Sequence, residues 1–311
     1  MRFRVTKCHG SGNDFPMIDA REIMLEDARW AGVARALADR SGPVGGDGLL
    51  LLTEGDKIHP FGFRMFNPDG SEAQTCLNGL RCVARAGFES LGIDRANVRL
   101  RTSSVEVARA EDLVPGVYTV RETAGPVDLD AGGWLKSGGH EHIEAVIADL
   151  PSELRFTALS IGNPHLVTFV EGIDDGELSR IGDFCENAPP LLPERANVSF
   201  VEARATDAIF VRTFERGVGL TDSCGSAMAS STYAACLTDR AEFGRQLTVF
   251  NRGGRVMATA ETDGMVTIEG NATFEWAGEV TVDQGRAVDL TVTKRFDDEV
   301  RAWEAIGGWS A

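Results

Sequence analysis

Two of the six cysteines stand where a glycine-containing loop runs into a helical pattern. The first is in Asn67-Pro68-Asp69-Gly70-Ser71-Glu72-Ala73-Gln74-Thr75-Cys76-Leu77-Asn78-Gly79-Leu80-Arg81-Cys82. The second is in Glu215-Arg216-Gly217-Val218-Gly219-Leu220-Thr221-Asp222-Ser223-Cys224-Gly225-Ser226. At a helix start the free amides and the macrodipole favour negative charge. A thiol placed there is biased toward thiolate, away from a free pKa of about 8.5. A group titrating near working pH suits general acid–base transfer. Two such groups, one thiol and one thiolate, could take a proton from one face of a carbon and return one to the other. Such a pair titrates as a unit. Backbone amides of Leu77 and Asn78 on one side, and of Gly225 and Ser226 on the other, could grip a carboxylate beside that carbon. With that grip tight, inverting an α-carbon needs no imine cofactor, and no pyridoxal phosphate site is evident.

Taken alone, a cysteine is most often a small buried hydrophobe. The second copy is what turns the reading toward chemistry. Asn67 lies nine residues before Cys76, and Glu215 lies nine before Cys224. Gly12-Asn13 opens a strand-like run 63 residues before Cys76, counted from Asn13, and Gly162-Asn163 opens another 61 before Cys224, counted from Asn163. A repeat of this length predicts two half-domains of one design.

The elements that position these residues are legible in outline. Phe61 to Phe66 and Ile209 to Phe214 alternate as strands that lead into the two cysteine loops. After Cys76, Leu80, Val83, Ala84 and Phe88 fall at helical spacing, and the Cys224 helix extends to about Thr238. Residues 1–20 read as two strands around the Gly10-to-Gly12 turn, Trp30, Val33, Ala34 and Leu37 as a helix face, and 41–48 as loop before the apolar run Leu49 to Leu52. That loop lacks the glycine order of a dinucleotide site. A helix is expected around Leu178 to Phe184 and a short terminal one at Phe296, Val300 and Trp303. His140 and His142 read as exposed loop. Turn-rich residues near 123–140 mark the join. The expected division is 1–125, carrying Cys76, and 126–311, carrying Cys224, with the last segment from about 285 to 311 packing back on the first half.

Composition narrows the class. The chain has 311 residues, 43% hydrophobic and 25% charged, which is that of an ordinary globular protein. A net charge of −16 argues against nucleic acid as partner. No apolar run approaches the roughly 20 residues of a spanning helix, and the N-terminus has no signal-peptide core. With free cysteines expected, these features point to a reducing, cytoplasmic setting and no membrane partner. The absence of any Cys-x-x-Cys pair argues against a metal.

His9-Gly10-Ser11-Gly12-Asn13-Asp14-Phe15, the Cys76 run, Gly162-Asn163-Pro164-His165 and the Cys224 run together resemble diaminopimelate epimerase, in that family's order and over most of the chain. The resemblance implies an α/β (α+β) fold of two pseudo-symmetric halves, each a rolled, mainly antiparallel sheet around a central helix, with the active site in the cleft between. It implies Cys76 and Cys224 as the acid–base residues, His165 and Glu215 as residues that tune them, and Asn13, Asn67, Asn163, Asn197 and Arg216 as substrate contacts. The Arg216 fork suits a distal carboxylate. A homodimer, a small amino-acid substrate and no cofactor are also implied. Cys8, Cys82, Cys185 and Cys236 match no role.

Three positions depart from the family pattern. Leu77 stands for the usual Gly, Gly48 for a Gln that contacts substrate, and Leu220 for a Glu; a dimer-contact Tyr near the C-terminus has no counterpart. Leu77 filling space while Gly48 opens it reads either as compensation in one pocket or as a changed substrate. The expected activity is interconversion of LL- and meso-diaminopimelate. The alternatives are a racemase of the same fold acting on another amino acid, and a non-catalytic paralogue that binds a metabolite. Two reactive thiols at one small site are also open to joining as a disulfide. Activity is expected to fall when reductant is withheld and to return when it is restored; full activity under oxidant would show that the sulfurs cannot meet.

Overall fold

The computed structural model describes residues 1–73 and 76–306. Gln74 and Thr75 of the first cysteine motif, and the last five residues of the 285–311 segment, lie outside the described residues. The described chain divides into two compact units: Met1–Glu122 together with residues 269–306, and Thr123–Ile268. No described helix is long and apolar enough to cross a membrane.

The first unit opens with β1 (Arg2–Gly10) and β2 (Asn13–Asp19), an antiparallel hairpin. Its two-residue turn has positive φ at both Ser11 (52°) and Gly12 (78°), the turn whose twist matches the flanking strands. Helix α1 (Asp27–Ala38) follows, with Trp30, Val33, Ala34 and Leu37 buried as their spacing predicts. Then come β3 (Leu49–Glu54), β4 (Phe61–Phe66), α2 (Leu77–Leu91), β5 (Arg95–Arg99), β6 (Ser104–Arg109) and β7 (Thr119–Ala124). β2 pairs parallel with β3, β3 antiparallel with β4, β4 parallel with β5, and β5 antiparallel with β6. α2 packs against strands β1 to β6, so the sheet rolls around it. Leu80, Val83, Ala84 and Phe88 of α2 are buried among Phe61, Phe63, Val98 and Phe274. Burying Leu80, Val83 and Phe88 contributes about 1.5–3 kcal/mol each.

The second unit repeats this order. β8 (His142–Val146) and β9 (Arg155–Ser160) lead into β10 (Pro164–Phe169), and β9 and β10 form an antiparallel hairpin. Helix α3 (Asp175–Glu186), β11 (Asn197–Ala205), β12 (Ala208–Glu215), the short β13 (Gly219–Thr221), α4 (Gly225–Leu237), β14 (Leu247–Asn251) and β15 (Gly254–Ala260) follow. β10 pairs parallel with β11, β11 antiparallel with β12, β12 parallel with β14, and β14 antiparallel with β15. Helix for helix and pairing for pairing, this matches the first unit. α4 is buried on all sides, and its Ala and Ser residues let the strands approach from every direction.

The chain runs through β16 (Val266–Asn271) and rejoins the first unit with β17 (Thr273–Asp283), β18 (Arg286–Arg295) and α5 (Asp297–Glu304). β17 pairs antiparallel with both β1 and β18. Glu299 of α5 receives two hydrogen bonds from the buried Arg85 guanidinium, which lies over the Phe274 ring at 3.9 Å.

One reading of a loop is corrected. His140 is exposed, but His142 begins β8, pairs with Ala158 and is half-buried, with its Nε2 2.8 Å from Ser137 Oγ. Its flanking Gly138 and Gly139 mask a strand too short to show periodicity.

Close packing of helix on sheet is tightest at Gly182 of α3, where a Cβ would lie 2.1 Å from the Phe214 ring. Gly182→Ala is expected to cost about 1–3 kcal/mol of stability by overpacking, read as a lowered urea midpoint. Gly172→Ala, where a Cβ meets nothing within 4 Å, should change stability by less than about 0.5 kcal/mol.

Candidate active site

Each unit carries a cysteine and a set of candidate residues at the start of its central helix. Cys76 is the N-cap of α2, with extended backbone (φ −150°, ψ 103°), and its Sγ accepts from Gly79 N at 3.4 Å. Cys224 is the N-cap of α4, with φ −131° and ψ 114°. In each case a strand (β4 or β12) delivers the chain to a turn, and the cysteine is the last extended residue before the helix. Leu77 and Asn78, and Gly225 and Ser226, are therefore first-turn residues, whose N–H groups have no partner within their own helix.

In the first unit Asn13 sits just past the β1–β2 turn, with its Oδ1 3.9 Å from Cys76 Sγ and 3.4 Å from Asn78 Nδ2. Its Nδ2 donates to Asp47 Oδ2 at 2.5 Å. The turn itself is held from two sides. Asn271 Oδ1 accepts from Ser11 N at 2.7 Å, and Arg81 Nη2 donates to Ser11 Oγ at 3.2 Å. Gly10 lets this turn sit on α2, since a Cβ there would lie 2.5 Å from Asn78 O. Asn67 also shapes its own turn. It accepts from Gly70 N at 2.9 Å and donates to Ser71 Oγ at 2.9 Å.

In the second unit a run of contacts joins Cys224 to Arg216. Cys224 Sγ lies 3.5 Å from Ser226 Oγ, and Asn163 Nδ2 donates to that oxygen at 3.4 Å. His165 Nε2 lies 3.2 Å from Asn163 Oδ1 and 3.3 Å from Asn197 Nδ2. Asn197 Oδ1 accepts from Arg216 N at 2.8 Å. Parallel pairing puts His165 of β10 directly beside Asn197 of β11, which is why residues so far apart in sequence meet. The Arg216 guanidinium donates to Glu194 O at 3.0 Å. Glu215 ends β12, half-buried.

Burial sets the electrostatics. His165 is fully buried, and desolvation, helped by the Arg216 charge, pushes its pKa down to about 3. His9 is pushed down to about 4 by burial and by Arg81 and Lys7, against the pull of Asp14. Burial raises Asp14, but Arg40 and Lys7 outweigh it and hold the carboxyl below its ordinary value. The cysteines without an expected role are different. Burial raises Cys185 to about 12 and Cys236 to about 11, and it also raises Cys8. All three stay protonated and unreactive. No cluster of metal-ligating side chains occurs among the described residues.

Two expectations about space change. Gly48 opens no pocket, because a Cβ there would lie 2.5 Å from Phe66 O; the backbone of β4 occupies that volume. It therefore cannot compensate for Leu77, whose side chain is buried at the first turn of α2. Leu220 lies exposed on β13.

Sequence reasoning missed Asp47 and Arg81. Asp47 was placed in an unassigned loop, yet it binds Asn13 and, at 3.1 Å, Asp14 N. Arg81 fell on the expected helix as an ordinary charge. It is fully buried and pairs with Glu122 Oε1 at 2.6 Å, also buried. An arginine one residue beyond the core position Leu80, inside an apolar run, was the available signal.

Comparison with known proteins gives consistent results. The family model described as diaminopimelate epimerase matches residues 5–121 and 157–275. A diaminopimelate epimerase of Listeria innocua is 38% identical over 298 residues, 92% of this chain and 91% of that protein. One of Clostridium acetobutylicum is 36% identical over 311 residues, 97% of this chain and 93% of that protein. Among solved structures, a phenazine biosynthesis protein of the PhzF family from Bacillus anthracis superposes with a TM-score of 0.65 at 16% identity, covering 91% of this chain and all of that one. A hydroxyproline epimerase from Agrobacterium vitis gives 0.64 at 16% identity, covering 91% and 92%. At these identities the structural likeness establishes the fold.

The two buried histidines predict a pH dependence. Unfolded, each titrates near pH 6.5; folded, only near 4 and 3. Between those values the unfolded chain binds more protons, so stability rises with pH there. The contribution is fully present above about pH 6.5 and is lost as pH falls toward 4 and then 3. Urea unfolding at stepped pH should show this decline, and His165→Gln should remove up to about 1.4 kcal/mol per pH unit of its slope. An unchanged slope would mean that His165 is not buried neutral.

Proposed function

Since the chain belongs to the diaminopimelate epimerase family, a family of isomerases, we propose that it interconverts LL- and meso-2,6-diaminopimelate, a step toward lysine and peptidoglycan, with Cys76 and Cys224 as the acid–base pair. One thiolate removes the α-proton and the other thiol returns a proton to the opposite face. The roles exchange in the reverse direction, so the enzyme ends each turnover in the complementary protonation state. First-turn amides of Leu77, Asn78, Gly225 and Ser226 bind the α-carboxylate as charge builds on the α-carbon. Arg216 takes the distal carboxylate in a bidentate contact, and Asn13, Asn67, Asn163 and Asn197 fix the remaining polar groups. Buried and neutral, His165 orders Asn163 and Asn197 without adding a charge beside the thiols. With Glu215 it tunes the Cys224 side.

The observation that carries this reading is the duplication. The same order of strand pairings and helices brings a cysteine to the same N-cap position in each unit. A structural cysteine has no reason to recur there. The four others are buried, and none caps a central helix.

The test is α-proton exchange in deuterated water. Cys76→Ala and Cys224→Ala are each expected to lower epimerisation at least about 10³-fold, within the range of a positioned acid or base. Near-full activity in either variant would refute the two-thiol mechanism. Run on a panel of α-amino acids, the assay also separates the substrates. Exchange with another amino acid and none with diaminopimelate would move the assignment to a related racemase, the outcome that Leu77 in the first turn favours.

A further inference from the structure

In the first unit two side-chain amides lie in series between groups of opposite hydrogen-bonding character. Arg81 Nη2 donates to Asn78 Oδ1 at 2.7 Å. Asn78 Nδ2 donates to Asn13 Oδ1 at 3.4 Å, and Asn13 Nδ2 donates to Asp47 Oδ2 at 2.5 Å. A guanidinium only donates and an ionised carboxylate only accepts. Neither amide can therefore turn over without setting donor against donor or acceptor against acceptor. The polarity of the whole run is fixed by its ends, and it leaves the carbonyl oxygen of Asn13, not its amino group, 3.9 Å from Cys76 Sγ.

Both ends are anchored. Arg81 is fully buried and also donates to Glu122 Oε1 at 2.6 Å and to Asn271 O at 3.1 Å. Asp47 Oδ1 accepts from Arg40 Nη2 at 2.6 Å, and its N–H donates to Asp14 O at 2.8 Å. The anchors come from different elements: α2 and β7 at one end, β2 and the loop after α1 at the other.

We propose that Arg81 and Asp47 are positioning residues for Cys76. By fixing the polarity of the Asn78–Asn13 amide pair, they keep an acceptor facing Sγ and hold back its ionisation. The Gly79 N–H at 3.4 Å and the α2 dipole pull the other way, toward thiolate. The balance sets how readily this cysteine gives up its proton. Its consequence for turnover rests on the epimerase reading; its effect on the thiol does not.

The charged and titratable groups around this half-site are Lys7 and His9 of β1, Asp14 of β2, Arg40 and Asp47 around the loop after α1, Arg81 of α2 and Glu122 of β7. Lys7 is paired with Asp14, Arg40 with Asp14 and Asp47, and Arg81 with Glu122. Removing the charge at 47 also changes the field at Sγ directly, and the experiment must separate that from the amide effect.

The measurement is the rate of alkylation by iodoacetamide against pH, without substrate, quantified separately for the Cys76 and Cys224 peptides by mass spectrometry. In Asp47→Asn, position 47 can donate as well as accept, so the shorter of the two restraints on the Asn13 amide is lifted, and its amino group can turn to Sγ at the cost only of the long 3.4 Å contact with Asn78 Nδ2. The Cys76 midpoint is expected to fall by about one pH unit, with any movement of the Cys224 midpoint smaller and coupled to it. In an Asn13→Ala background, Asp47→Asn is expected to add no further shift. Asp47→Glu, which keeps an acceptor-only end, should restore the original profile. If Asp47→Asn does not fold, as judged by circular dichroism, Asp47→Ser makes the same comparison. An unmoved Cys76 midpoint overturns the proposal. So does a shift that persists undiminished in the Asn13→Ala background, because that is charge acting through space. As no substrate enters the assay, its failure leaves the epimerase reading standing, and failure of that reading leaves this result intact.

Discussion

An α-helix begins with N–H groups that its own backbone cannot satisfy, and in this chain both central helices begin at a cysteine. In each unit the candidate residues are arranged around that end. A helix wrapped by strands cannot shift along its axis, so its first turn becomes a fixed point. Strand β4 or β12 sets where the sulfur enters, and in each unit a hairpin, β1–β2 or β9–β10, brings an asparagine to that helix start. A thiol here is close-set against the only part of a helix that attracts negative charge.

The two units meet the problem of buried polarity in different ways. The first uses full charges: Arg81 with Glu122, and Lys7, Asp14, Arg40 and Asp47 in a connected group. Desolvating a buried pair is expensive, and removing one partner costs about 3–5 kcal/mol. What such a group provides is direction, since charged ends dictate how neutral amides between them must point. In the second unit the groups that link Cys224 to Arg216, namely Ser226, Asn163, His165 and Asn197, are uncharged. Burial holds His165 unprotonated, and Asn163 and Asn197 bracket its Nε2. A neutral ring with amide neighbours avoids the desolvation cost of an ion. A similar backbone plan therefore carries two unlike electrostatic settings.

Much of this was legible in the residues because it is local. The apolar spacing of Leu80, Val83, Ala84 and Phe88, the Asn-Pro-Asp-Gly turn and the alternation of Phe61 to Phe66 depend on neighbours a few positions away. The nine-residue interval before each cysteine reflects one turn built twice. What could not be read depends on distant partners. Asn13 and Asp47 lie 34 residues apart; Arg81 and Glu122 lie 41 apart. No periodicity encodes such meetings. His142 was misplaced for a related reason, because five-residue β8 is recruited by β9 and not by its own pattern. Gly48 was misjudged because a missing side chain says nothing about what fills the space, here the carbonyl of Phe66.

The pairing of β1 with β17 has a bearing on biosynthesis. Arg2 aligns with Thr281, so the first strand made must wait for one of the last before its outer edge is closed. The intervening unit, Thr123–Ile268, is contiguous and is fully synthesised before β17 begins at Thr273. On the ribosome, the middle of the polypeptide is thus equipped to fold ahead of its beginning. Until β17 arrives, β1 carries a bare strand edge, the kind of surface on which nascent chains aggregate.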